Sequence, residues 1–418
     1  MLPNLDVGGA QRANLLIGRY LNRSEVEPVF ISLHRNDDGA RTSLKASFDA
    51  SGLVVHELGL RRRADRSARS CITGARRLRR VCRLERIDIV DSAVIESDLV
   101  ARLSTIRTRA LHVTHLVNTT YDAAVSRRLP RRSRLRLAVL RRIDAFTARR
   151  THAFVALTDE VGESAIRNLA IDPRRLVVIP RGVDLDQFSF TPLRAANTDI
   201  RIVSLGRLAP QKGHETTLSA VALLKKWGLT SRLVIAGEGS LLDELQRLAD
   251  ALGVQDSVTF AGALDTDAVS RLLARADVFC FPSRWEGQGN ALLEAMASGC
   301  PVVASDIAPV REVLGDAGIL VTPESTIALA KGLRQVIEMT DGERAALGRR
   351  ARERVEDRFD AQSRVGDLES FYRDLLCDDI KGGSRSIGPP SAEVATRRLA
   401  AVGQHAHGGG VGDRAGTL

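Results

Sequence analysis

Residues 277–304 restrict the folds open to this chain more than any other stretch. Asp277-Val278-Phe279-Cys280-Phe281-Pro282 is a short apolar run of the kind that parallel sheets bury on both faces. Arg284-Trp285-Glu286-Gly287-Gln288-Gly289 follows as a glycine-rich loop, then a helical pattern from Asn290 that Gly299 ends. Cys300-Pro301-Val302-Val303-Ala304 opens the next strand. Strand, helix and strand in this order predict a parallel α/β unit. The alternation runs through the chain. Strands are expected at 29–33, 54–58, 87–90, 111–115, 153–157 and 176–180, then at 200–205, 232–236, 258–261, 277–282, 301–305 and 318–321. Between the two sets, 186–199 turns polar and irregular around Pro192, which predicts a linker between two domains. At 418 residues, each half is long enough to build its own core.

The loop and helix of that unit also suggest a ligand. Free backbone N–H groups at a helix N-terminus attract anions, and Glu286 and Glu294 set two carboxylates eight positions apart beside them. A ligand with phosphate next to hydroxyls would satisfy both, and a nucleotide sugar has both. Gly287 and Gly289 let a backbone approach phosphate without a Cβ in the way, and Asn290 suits a helix N-cap. Arg207 and Lys212 flank a Gly/Pro turn after an expected buried strand, as candidate cations for a diphosphate. A departing diphosphate gains negative charge, so a fixed cation stabilises its transition state more than its ground state. Gly8 and Gly9 precede a helical pattern (Ala13, Leu16, Ile17, Tyr20, Leu21) and would meet the diphosphate from the other side. Asp184-Leu185-Asp186 and Asp265-Thr266-Asp267 fall in a loop and at a helix start, where Asp caps are common. Neither suits a metal bridging phosphates, so no metal is expected, and no cofactor beyond the donor substrate.

The segment from Arg284 to Gly299 resembles the E-x7-E signature of retaining family-4 glycosyltransferases of the GT-B fold. Ser204-Leu205-Gly206-Arg207-Leu208-Ala209-Pro210-Gln211-Lys212-Gly213 is similar to the family's donor loop, and Ile235-Ala236-Gly237-Glu238-Gly239 to its G-x-G turn. Pro180-Arg181-Gly182-Val183-Asp184 matches its interdomain loop. Gly8-Gly9-Ala10-Gln11-Arg12 resembles its first glycine turn, with Gln11 replacing the usual Glu. The motifs stand in family order over about residues 1–377.

The resemblance implies two Rossmann-like domains facing a central cleft: 1–187 on the acceptor side, 188–355 binding the nucleotide sugar, and a crossover helix at 356–377. It implies that Glu294 accepts hydrogen bonds from ribose hydroxyls, that Glu286 orients the donor sugar, and that His115 lies near sugar and acceptor. Gln288 is expected to face the sugar. Glu286, Arg207, Lys212 and His115 are thus the catalytic candidates. Gly8, Gly9, Gly237, Gln288, Gly289, Asn290, Ala291 and Glu294 are the donor-binding candidates. The family opens with a strand leading into its glycine turn; Met1–Val7 reads as only the end of one, so a misplaced or truncated start is expected.

Charge divides the chain. Residues 1–150 carry a net charge of +15 and the remainder −5. Arginines cluster at 61–63, at Arg76, Arg77, Arg79, Arg80, Arg83 and Arg86, and ten times between Arg127 and Arg150. In the middle series Ile72, Ala75, Leu78 and Val81/Cys82 form an apolar stripe that leaves the arginines outside. A basic amphipathic surface suits an anionic membrane. Aromatic residues at 4% and the lack of a nucleic-acid motif argue against nucleic acid. No run approaches the roughly 20 apolar residues of a membrane helix. Five cysteines without metal spacing predict buried free thiols in a reducing cytosol. The protein is expected in the cytoplasm, peripheral to the inner face of a membrane, with a disordered tail at 378–418.

These readings combine into a retaining glycosyltransferase that moves a hexose-type sugar from a nucleoside diphosphate to a lipid-linked or polysaccharide acceptor. Two alternatives remain at this point. One is a nucleotide-sugar epimerase or hydrolase, which would need further acid/base residues in the first half, where His115 and Glu96 are candidates. The other is a non-catalytic subunit that binds nucleotide sugar or membrane.

Overall fold

The computed structural model describes residues 1, 9–34, 44–60, 68–106, 108–190 and 200–380. All twelve expected strands form: β1 (Phe30–His34), β2 (Val55–Leu60), β3 (Ile89–Ala93), β4 (Leu111–Leu116), β5 (Ala153–Ala156), β6 (Leu176–Val178), β7 (Ile200–Leu205), β8 (Ser231–Ala236), β9 (Val258–Gly262), β10 (Val278–Phe281), β11 (Val302–Ser305) and β12 (Ile319–Val321). Every pairing is parallel. The helices of the first half are α1 (Gly9–Tyr20), α2 (Lys45–Ala50), α3 (Ala68–Leu84), α4 (Ile95–Ser104), α5 (Ala123–Ser126), α6 (Arg131–Ala148) and α7 (Asp159–Leu169). Those of the second are α8 (His214–Lys226), α9 (Leu242–Ala251), α10 (Thr266–Ala274), α11 (Asn290–Ala297), α12 (Ala308–Leu314), α13 (Thr326–Glu338), α14 (Asp341–Arg358) and α15 (Ala361–Ile380).

The second half is one six-stranded sheet in the order β12-β11-β10-β7-β8-β9. Read from the other edge, the order reverses direction between β7 and β10, and ligands of such sheets bind outside the carboxyl ends at that switch point. Alternation along β10 divides the core. Phe279 and Phe281 pack on one face with α11 and α14, while Val278 and Cys280 pack on the other with α8 and α13.

The first half is divided. β3-β4-β5-β6 form one sheet and β1-β2 another, and among the described residues no strand joins them. Residues 2–8, where the strand end was expected, lie outside the described residues, as does Gly8. On one face of β4 and β5, Val113 and Val155 pack against Leu368, Phe371 and Leu375 of α15. On the other, Phe154 packs with Ala148 of α6 and Ala165 and Leu169 of α7.

The crossover departs from a single helix over 356–377. Helix α14 belongs to the second half, burying Ala351 and Val355, and is capped by Phe359. Asp360 then starts α15, its carboxylate accepting from Ser363 N at 2.9 Å. Val183 N donates to Phe359 O at 2.8 Å and Ala361 N to Val183 O at 3.1 Å, so the break is where the chain crosses between halves. Gly182 is required there, since a Cβ would lie 2.4 Å from Ala361 Cα. Arginine placement on α3 follows expectation, with Ala75, Leu78 and Cys82 buried, but Ile72 is exposed. No disulfide joins the cysteines; Cys82, Cys280 and Cys300 are buried as expected, whereas Cys71 is half-buried and Cys377 exposed. Most of the expected tail lies outside the described residues.

Candidate active site

Two loops meet at the switch point. The first leaves β7 as Gly206-Arg207 and closes in a 3-10 turn at Pro210–Lys212; the second leaves β10 and carries Glu286. Backbone and side chains stitch them together. Arg284 N donates to Gln211 O at 2.8 Å, and Gln211 Nε2 donates to Trp285 O at 2.8 Å. Lys212 Nζ forms an ion pair with Glu286, both side chains nearly enclosed. The stem of Lys212 lies against Gly206, where a Cβ would come within 3.2 Å. Gly237 packs on the same loop: its φ is +144°, and a Cβ would sit 2.0 Å from Gly206 O. Arg207 stands at the exposed edge, with Nη2 donating to Gln211 Oε1 at 3.3 Å. Behind the loop, burial pulls His214 down to about 4, so a neutral imidazole holds Ser204 Oγ at 3.3 Å.

Helix α11 starts one residue earlier than a side-chain cap would require. Gly289 is the N-cap, at φ +94°, and has no side chain to cap the helix. Asn290 is therefore the first helical residue rather than the cap, followed by half-buried Ala291. A Cβ at Gly289 would lie 2.9 Å from the Phe281 ring, so β10 itself demands glycine here. One turn on, Glu294 lines a cleft of about 340 Å³ between the halves, together with Asn290, Arg12 of α1 and Asp184. Burial pushes the Glu294 carboxyl up to about 7, an effect the charge of Arg12 offsets in part.

Gln288 is corrected. It does not face a sugar: its Oε1 accepts from Arg181 N and its Nε2 donates to Arg181 O, each at 2.9 Å. This two-point bond holds the buried amide against the Arg181 backbone and pins the loop to the first half. Gly287 adds to the same contact, because a Cβ there would lie 1.9 Å from Val117 O, while Thr158 Oγ1 donates to Gly287 O at 3.0 Å.

His115 is also displaced from its expected place. Alternation puts it on the face of Val113, as expected, but that face is covered by α15. His115 Nε2 lies 2.8 Å from Asp91 Oδ2, and Tyr372 of α15 donates to the same oxygen. Burial opposes ionisation of Asp91, yet His115, the N-terminal ammonium and the Tyr372 hydroxyl together outweigh it and hold the carboxyl below its ordinary value. The cavity beside His115 measures about 30 Å³ and contains Arg181, not Glu294. That is room for about one water. Gly9 begins α1, whose Arg12 and Ala13 line the main cleft.

Both Asp-x-Asp segments are engaged in turns. Asp265 Oδ1 accepts from Ala268 N at 2.7 Å, and Asp184 Oδ1 from Asp186 N and Gln187 N at 3.1 and 3.0 Å. Among the described residues, no group of three or more His, Cys, Asp or Glu is placed to hold a metal.

Several contributors escaped sequence reading. Arg12 Nη2 donates across the cleft to Leu264 O at 2.8 Å. Arg128 binds Glu324, which Arg284 also engages at 2.9 Å, and Arg128 lies over the Trp285 ring. Glu312 accepts from Asp159 N at 3.2 and 3.0 Å. Arg12 stands in the first glycine motif, which could have flagged it. The others carry no local signal.

The family model for Glycosyltransferase Family 4 matches residues 7–187, and that for Glycosyl transferases group 1 matches 186–354. The chain is 32% identical over 273 residues to a GDP-mannose-dependent alpha-(1-6)-phosphatidylinositol dimannoside mannosyltransferase of Mycobacterium tuberculosis, covering 62% of this chain and 68% of that one. It is 33% identical over 180 residues to an N-acetylgalactosamine-N,N'-diacetylbacillosaminyl-diphospho-undecaprenol 4-alpha-N-acetylgalactosaminyltransferase of Campylobacter jejuni, covering 42% and 48%. The chain spans about half the length of most curated relatives it matches. Among solved structures, Anabaena HepE in complex with UDP and glucose superposes with a TM-score of 0.71 at 18% identity, covering 88% of this chain and 96% of HepE. That likeness shows the GT-B fold.

Proposed function

The chain belongs to the family-4 type of glycosyltransferases with the GT-B fold, and we propose that it transfers a hexose-type sugar, with retention, from a nucleoside diphosphate to a lipid-linked or polysaccharide acceptor. The observation that carries this reading is the meeting of the Lys212–Glu286 pair with the glycine-capped N-terminus of α11 at the switch point of the sheet. Arg207 and the N-terminus of α11 suit a diphosphate, Glu294 suits ribose hydroxyls, and Glu286, held by Lys212, suits the sugar. The acceptor class follows relatives named for phosphatidylinositol and diphospho-undecaprenol substrates.

In the proposed reaction the acceptor hydroxyl attacks the anomeric carbon on the face that the diphosphate leaves. The new C–O bond forms as the old one breaks, and the hydroxyl proton passes to the departing phosphate. Position and positive charge supply the rate, and no protein nucleophile is involved. An epimerase or hydrolase would need a free acid/base in the first half. His115 is tied to Asp91 beside a cavity too small for a sugar, and Glu96 is paired with His34 at 3.2 Å, which disfavours that role for both candidates.

Saturation-transfer NMR against a panel of nucleotide sugars, then turnover with the best binder, tests this reading. A nucleoside-diphosphate hexose should bind and be consumed only with acceptor present, with activity retained in EDTA. Absence of binding by every nucleotide sugar would overturn the donor site. Loss of activity in EDTA, restored by magnesium or manganese, would overturn its metal independence.

A further inference from the structure

The loop that carries Glu286 is held from the other half of the molecule at three points. Val117 follows β4, Thr158 lies just past β5 and Arg181 just past β6, and these strands are neighbours in the first sheet. Their carboxyl ends therefore form one row beneath the loop. Val117 O leaves no space for a Cβ at Gly287, and Thr158 Oγ1 donates to Gly287 O at 3.0 Å. The Arg181 backbone engages both ends of the Gln288 amide at 2.9 Å. Glu286 immediately precedes this anchored pair, and its carboxylate is held within the second half by Lys212.

Thr158 does two jobs at once. As the N-cap of α7 it accepts from Val161 N at 3.3 Å. Capping uses only a lone pair, and Asp or Asn would serve it as well. The hydroxyl proton is directed across the halves to Gly287 O, a carbonyl that an ionised Asp, being acceptor-only, would repel. Thr158 and Gly287 are both buried. Without that proton the carbonyl would be left unpaired, a cost that the loop relieves by moving toward water.

We propose that Thr158 is a positioning residue for glycosyl transfer. Through Gly287 O its hydroxyl fixes the residue next to Glu286, and so the place of the Glu286 carboxylate at the sugar. The inference rests on the proposed role of Glu286 as the group that orients the donor sugar. Binding and chemistry then separate. Arg207 and α11, which suit the diphosphate, belong to the second half alone, so nucleotide affinity does not depend on Thr158. The transfer step does, because reacting groups misplaced by about 1 Å lose about 100-fold in rate.

Two measurements on the full chain test this. Thr158→Val keeps the shape and removes the proton. It should lower kcat about 10- to 100-fold while the Kd for UDP or GDP, whichever binds, moves less than about 2-fold. Thr158→Ser should bring kcat back to within about 3-fold of wild type. The second measurement needs no turnover. Trp285 adjoins Glu286, and Trp227 is the other of the chain's two tryptophans. In a Trp227→Phe background, Thr158→Val should shift Trp285 emission to the red and open it to acrylamide, and Thr158→Ser should reverse both. Gln288→Leu leaves the α7 cap intact and should change Trp285 in the same direction, which excludes a lost cap as the cause. Unchanged kcat in Thr158→Val, a loss that Thr158→Ser does not rescue, or unaltered Trp285 emission would each overturn the proposal. Wild type that turns over no donor would overturn the proposed function instead, and Trp285 would still decide whether the hydroxyl holds the loop.

Discussion

The two halves solve the same folding problem in different ways. The second half, the donor half of the proposed reading, is one continuous sheet with a thick apolar core on each face, and it exposes few large apolar side chains. The first half, the acceptor half of the proposed reading, splits its strands between two sheets and, among the described residues, divides its core into four small clusters and exposes most of the large apolar residues that reach solvent. It also buries an ionic network, where Arg102 engages Asp144 at 2.6 Å, Thr147 at 2.9 Å and Thr151 at 3.0 Å. In the second half, apolar packing on both faces of the sheet frames the proposed diphosphate site. The acceptor half depends on specific polar bonds to orient its helices.

That contrast breaks most sharply at Arg102. Arg102→Met leaves Asp144 charged and buried without its partner, a loss of about 3–5 kcal/mol. The acceptor half should then unfold ahead of the donor half, giving two calorimetric transitions in place of a shared one. Nucleotide binding below the first transition should persist. A single transition at the wild-type temperature would mean that the halves are equally stable and that the ion pair is dispensable.

Next in size is Arg207. Arg207→Ala should lower turnover by about 10²–10³-fold, the usual cost of removing a charge stabiliser. Stability should be unchanged, because the side chain is exposed and bonds only Gln211 among the contacts described. Full activity in the variant with a confirmed donor would place the diphosphate elsewhere.

The same contrast explains what could be read in advance. All twelve strands were legible because each is a local apolar run, and so was the Glu286–Glu294 spacing, which one loop and one helix turn determine. Gln288 was not legible. Its partner is the backbone of Arg181, 107 positions away, and nothing in a glycine-rich loop distinguishes an amide facing a sugar from one facing another domain. The stripe on α6 misleads for a related reason. Leu135, Val139, Ile143 and Phe146 have the spacing of a core face, and only the long-range pair of Arg102 with Asp144 shows which side is inside. His115 was placed on the correct face, but α15, which covers that face, arrives from 257 positions later, as Tyr372 shows. The helix break at Phe359–Asp360 likewise depends on Val183.

A smaller effect should follow pH through Glu294. Burial raises its carboxyl from an ordinary 4.5 to about 7. The raised value contributes stability that is fully present below pH 4.5 and lost as pH rises through 7. Ribose hydroxyls donate to the ionised form, so binding should run the other way. Nucleotide affinity should fall by up to about 10-fold for each pH unit below 7 in wild type and stay flat in Glu294→Gln. Parallel profiles in the two proteins would remove Glu294 from the nucleotide site.

The smallest effect belongs to the link between the halves. Arg128 reaches across to Glu324, and the paired arginines Arg128 and Arg284 hold that carboxyl down to about 2. The contribution is therefore present above pH 4.5 and lost as pH falls through about 2, well outside the window in which Glu294 titrates. Both side chains of the bridge are more than a third exposed, so solvent screens it and its worth is below about 1 kcal/mol. Arg128→Ala should accordingly leave melting nearly unchanged and raise KM by no more than about 5-fold at constant kcat, because the closed cleft becomes slightly less populated. Gln288→Leu makes the informative comparison. It removes two buried bonds to Arg181 instead of one screened pair, and should open the halves further in small-angle scattering. If Arg128→Ala opened the molecule more than Gln288→Leu, long-range charge rather than buried hydrogen bonding would be what holds the two halves together.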